Sequence, residues 1–151
     1  MKAALAAVLL VSLSRAAAAE GVPSPDEFFG FHVGADRTLA DWTQMTAYFR
    51  ALAEASPRVR TEEVGRTTDG RPFLVVTITS EANMARLDEI RRDNLRLADP
   101  RGLKPAEVDA LIGRGRAIVA LNHGIHSSEV GTTQAALLTA YRLYGNSPVE
   151  G

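Results

Sequence analysis

The sequence predicts a mixed α/β fold, and three observations carry that reading. Two runs rich in β-branched residues, 59–64 and 73–79, flank the turn dipeptide Asp69-Gly70, which predicts an antiparallel hairpin. Leu39, Trp42, Met45, Phe49, Leu52 and Ala53 recur at three- and four-residue steps, the period of an amphipathic helix. A continuous apolar run, Ala117 to Leu121, predicts a buried strand that hands over to a second helical pattern. With 151 residues, 46% of them hydrophobic and 23% charged, the chain suits one domain of modest size.

Taken in order, residues 1–19 read as a secretory leader. Lys2 supplies the positive start, Ala3 to Leu13 an apolar core, and Ala17-Ala18-Ala19 a small-residue cleavage site before Glu20. The core falls short of the ~20 residues that span a bilayer. A secreted or periplasmic protein is expected, with no membrane contact after cleavage. Residues 20–37, rich in Pro, Gly and Phe, lack periodicity and read as an extended arm whose phenylalanines dock on the body. His32 belongs to this arm and has no companion ligand at useful spacing.

Residues 38–151 read as the domain proper. Thr38, with Asp41 three residues on, is the expected N-cap of the first long helix, which ends near Ser56-Pro57. The hairpin follows, and the charges between Gly65 and Pro72 read as a solvated turn. Residues 81–97 carry Met84, Leu87, Ile90 and Leu97 among many charges and predict a surface helix, broken at Asp99-Pro100. Pro105 opens another short helix with Val108, Leu111 and Ile112 expected inside, and Gly113 and Gly115 close it. After the apolar run, Ala135, Leu137, Leu138, Tyr141 and Leu143 continue helically. Three strands with flanking helices make an incomplete sheet, so the chain is expected to be the first part of a larger domain.

Composition narrows the chemistry. A formal net charge of -1 and the lack of a basic cluster or glycine-rich loop argue against nucleic acid and phosphate-loop functions. Cysteine is absent, which excludes disulfides, thiolate metal sites and cysteine nucleophiles. Any metal must therefore be held by carboxylates and the three histidines, His32, His123 and His126.

His126 and Glu129 stand three positions apart where the apolar run meets the last helix. An imidazole and a carboxylate suit zinc, and their single negative charge leaves the ion enough positive charge to acidify a bound water. On a helix surface the same spacing also serves a simple hydrogen-bonded pair. His123 is a competing ligand or a supporting group at the strand end. No His-Glu-x-x-His helix is present.

Gly124-Ile-His126-Ser-Ser-Glu129 resembles the metal motif of zinc carboxypeptidases of the carboxypeptidase A type. Val64-Gly65-Arg66-Thr-Thr-Asp69-Gly70-Arg71-Pro72 resembles that family's hairpin, and the two motifs occur in the family's order. The resemblance implies an α/β/α fold around a mixed sheet, incomplete in this chain. It also implies His126 and Glu129 as Zn2+ ligands, and peptide or protein substrates. The second zinc His, the substrate-anchoring Arg and the catalytic Glu of the family have no matching position, so no catalytic residue is assigned. The expected function is zinc-dependent carboxypeptidase-type hydrolysis by a larger protein, with this piece inactive alone. A zinc amidohydrolase acting on N-acyl amino acids and a non-catalytic exported binding module are the alternatives. Oligomeric state is not fixed by any of these features.

Overall fold

The computed structural model describes residues 21–145, and the leader read over 1–19 lies outside them. Its elements are α1 (Pro25–Phe29), α2 (Trp42–Ala55), β1 (Val59–Arg66), β2 (Pro72–Ile78), α3 (Glu81–Ala85), α4 (Leu87–Ala98), α5 (Pro105–Arg114) and α6 (Val130–Gly145). The fold is mixed α/β. The hairpin is antiparallel, pairing Val59 with Ile78 and Arg66 with Pro72, with a register irregularity between Glu63 and Gly65. Gly70 takes a φ of 71° at its turn, a backbone conformation that favours glycine.

The arm is not simply extended. Ser24 and Glu27 form a reciprocal capping box that starts α1, and Pro25 occupies its first turn. Phe28 packs edge-on against Tyr48, with ring centroids 5.0 Å apart, and Phe29 lies beside the same ring. Phe28 and Phe29 thus dock on the body, as expected of the arm.

α2 begins at Trp42 rather than near Thr38, because Asp41 is the N-cap: its side chain accepts from Gln44 N, and the Gln44 side chain returns the bond. Leu39 consequently falls outside the helix and is exposed. The buried face of α2 is Met45, Thr46, Tyr48, Phe49 and Leu52. Met45, Tyr48, Phe49 and Leu52 meet Val59 of β1, Leu137 and Ala140 of α6, and Val22 and Val33 of the arm in one core. Along β2, Val76 and Ile78 turn toward that core while Phe73 and Val75 face solvent. Helices thus cover one face of the hairpin among the described residues.

The predicted helix over 81–97 is two helices. Arg86 (φ -117°, ψ 23°) leaves helical geometry between α3 and α4. α5 starts at Pro105 as expected, but only Leu111 is buried; Val108 is half-buried and Ile112 exposed. α5 is fastened to α4 by a two-pronged ion pair, Arg114 Nε and Nη2 donating to Asp93 Oδ2 and Oδ1 at 2.7 and 2.9 Å.

The run Ala117–Leu121 is not a buried strand here. No strand pairs with it among the described residues, and Ile118, Val119 and Leu121 are 67%, 79% and 56% exposed. Its composition suits a strand buried on both faces, but strand formation requires neighbouring edges, and a local pattern cannot supply those.

Candidate metal site

The loop from Asn122 to Glu129 is shaped by the first turn of α6. Gly124 adopts a φ of 65°, and its N–H donates to Thr132 Oγ1 at 3.2 Å. Gly124 is favoured by its positive φ, and a Cβ there would also displace Thr133 Oγ1. Thr132 Oγ1 in turn donates to Glu129 O at 2.9 Å, and Glu129 N donates to His126 O at 3.0 Å. These bonds close the Ser127-Ser128 turn and set His126 and Glu129 on one side of it.

The two side chains meet. His126 Nδ1 lies 2.6 Å from Glu129 Oε1, a hydrogen bond whose donor depends on the imidazole tautomer. The His126 and Glu129 side chains are 74% and 42% exposed, so the pair opens to solvent. Among the described residues no group of three or more His, Asp or Glu gathers as a metal cluster. His123 is exposed and stands outside the pair. An imidazole nitrogen and a carboxylate oxygen are donor types that suit zinc, and here they are hydrogen-bonded directly to each other. A catalytic zinc ordinarily takes three protein donors, and the pair offers two groups of the right type.

Behind the pair, α6 is anchored by Gln134, 6% exposed. Its Oε1 accepts from Ala40 N at 3.0 Å and its Nε2 donates to Ala40 O at 2.9 Å. Sequence reading missed this anchor, although a glutamine on an otherwise apolar helix face is the visible sign of one. It also missed Thr132 and Thr133, which adjoin the motif and hold its turn.

His32 lies elsewhere. A companion group does exist six residues before it: His32 Nδ1 sits 2.6 Å from Asp26 Oδ2. Asp26 also accepts from Val33 N at 2.8 Å. That backbone bond first, and the His32 bond second, hold the Asp26 carboxyl below its ordinary range. The pair tethers the end of α1 and collects no third donor among the described residues.

No helix among the described residues is long and apolar enough to cross a membrane. Comparison with curated proteins gives no match. Comparison with solved structures gives none either. The family model for zinc carboxypeptidases matches residues 45–148, which takes in both the hairpin motif and the His126–Glu129 turn. With more than half of its residues inside that match, the chain belongs to the zinc carboxypeptidase family.

Proposed function

We propose that this chain contributes the first metal-binding segment of an exported, zinc-dependent peptide hydrolase of carboxypeptidase type. What supports the reading is that the turn sets His126 and Glu129 side by side, Nδ1 and Oε1 2.6 Å apart, within a family-matched segment. In this reading His126 and Glu129 would be two of the residues that hold the zinc, which would supply Lewis-acid activation of a water. Gly124 and Thr132 hold the turn that aims the two donors, and the exposed Ser127-Ser128 edge leaves room for a peptide backbone. The Gln134–Ala40 bonds keep α6, and with it Glu129, in register with the core. A two-donor set holds zinc weakly, so the 151-residue chain by itself is expected to hydrolyse no peptide. Export rests on the leader-like residues 1–19.

The test is made in a protein that carries the whole peptidase domain. His126→Ala and Glu129→Ala should each abolish both zinc retention, read by metal analysis after dialysis, and cleavage of a peptide with a free carboxyl terminus. Either variant keeping wild-type zinc content and turnover would sink the assignment. Comparing the same peptide with a blocked carboxyl terminus, and an N-acyl amino acid, separates the peptidase from an amidohydrolase.

A further inference from the structure

A groove of about 490 Å³ lies between α2 and the turn of the β1–β2 hairpin, and neither His126 nor Glu129 lines it. Its helix wall is Trp42, Thr46 and Arg50, spaced four residues apart on one face of α2; its hairpin wall carries Glu63, Arg66 and Arg71. Three guanidinium groups therefore border one concavity.

Arg66 is already satisfied. Its Nη2 pairs with Glu63 Oε1 at 3.0 Å, and its Nη1 donates to Gly70 O at 2.9 Å. The other carboxylate at the groove, Asp41, is occupied as the N-cap of α2, its Oδ1 accepting from Gln44 N at 2.8 Å. Arg50 and Arg71 are left with no side-chain hydrogen bond and no carboxylate partner among the described residues. Both walls are fixed in place. Trp42 Nε1 donates to Pro72 O at 2.9 Å, tying helix to hairpin. Arg71 is pinned through its backbone, its O accepting from Thr67 N at 2.9 Å and its N donating to Thr67 Oγ1 at 3.2 Å.

Two unpartnered like charges on rigid walls of one concavity leave a positive potential that an anion would neutralise. The planar fork of a guanidinium matches the oxygens of phosphate and carboxylate. We propose that this groove is an oxyanion site, in which Arg50 and Arg71 hold a phosphate or carboxylate group of a small molecule between α2 and the hairpin turn. The hairpin charges, which as sequence look like a solvated turn, are one half of that site.

Trp42 is the only tryptophan in the chain and forms part of the groove wall, so its fluorescence reports on the site. The 151-residue chain is titrated with inorganic phosphate and, separately, with succinate, at ionic strength held constant with chloride. The expected result is a saturable change with at least one of the two anions; which of them binds assigns the phosphate or the carboxylate class. Arg50→Gln and Arg71→Gln should each weaken it about tenfold or more, since each removes a charge-assisted contact. The double variant should show none, and Arg91→Gln, an exposed site on α4, should bind like wild type. Each single variant removes an exposed, unpaired charge, so its melting temperature should match wild type and it carries the test alone. A response no larger than that of chloride, or one of undiminished affinity in either single variant, overturns the proposal.

Discussion

Gln134 pairs its side-chain amide with both backbone groups of Ala40, 94 residues away, as one strand residue would pair with another. Ala40 is 5% exposed and Gln134 6%, so water cannot replace either bond. Gln134→Leu should therefore destabilise the fold by about 3 kcal/mol, because it strands a buried N–H and a buried C=O together. Urea unfolding followed by circular dichroism measures this; a cost below about 1 kcal/mol would mean that the neighbouring chain re-pairs Ala40 on its own.

Gly124 makes a second prediction. An alanine there meets Thr133 Oγ1 and must also sit at a φ of 65°, which costs about 1–2 kcal/mol before any displacement. Gly124→Ala should leave most of the fold standing while moving the His126–Glu129 turn. In the whole peptidase domain, zinc content should drop far more than the melting temperature does. Gly124→Ala combined with Thr133→Gly relieves the collision but not the φ, so it should restore zinc only in part.

Asp93 gives the pH prediction. The side-chain hydrogen bonds from Arg114, and then its charge, hold the Asp93 carboxyl below its ordinary value of 3.8. The folded pKa lies below the unfolded one, so the stabilisation is fully present above the unfolded value. It disappears as pH falls through the folded value, in the strongly acidic range. Asp26, held chiefly by the Val33 N–H, and Asp99, held chiefly by the Arg101 side chain, are also lowered and lose their contribution in the same direction of pH. Asp93→Asn should thus reduce, without abolishing, the loss of stability below about pH 4, measured as melting temperature against pH. A variant with an unchanged acid limb would show that the α4–α5 ion pair does not contribute to the folding equilibrium.

What the sequence disclosed and what it hid divide along the range of the interactions involved. The hairpin was legible because Asp69-Gly70 and the β-branched flanks are local signals, and α6 because its apolar period is long. The start of α2 was misplaced to Thr38 although Asp41 and Gln44 spelled out their own reciprocal cap. α1 went unseen for a similar reason: Ser24 and Glu27 signal a helix start, but five residues carry no period. Ala117–Leu121 failed for a different reason. Its residues prefer a strand, yet a strand exists only beside another, and no local pattern says what lies alongside. His126 and Glu129 were readable because a turn of four residues brings them together, and Gln134 was not, because its partner lies at Ala40.

The same long-range contact bears on how the protein acquires its shape. The core begun by Met45, Tyr48 and Leu52 is completed by Leu137 and Ala140, and Val22 N donates to Tyr144 Oη across 122 positions. Closing so large a loop is slow compared with forming the hairpin or any single helix. A ribosome-bound chain that has emerged only as far as β2 therefore exposes an unfinished apolar face and invites chaperone capture. When α6 docks, it seals that face and aligns Glu129 in one movement. The position of the His126–Glu129 turn relative to the core is then coupled to core burial through α6.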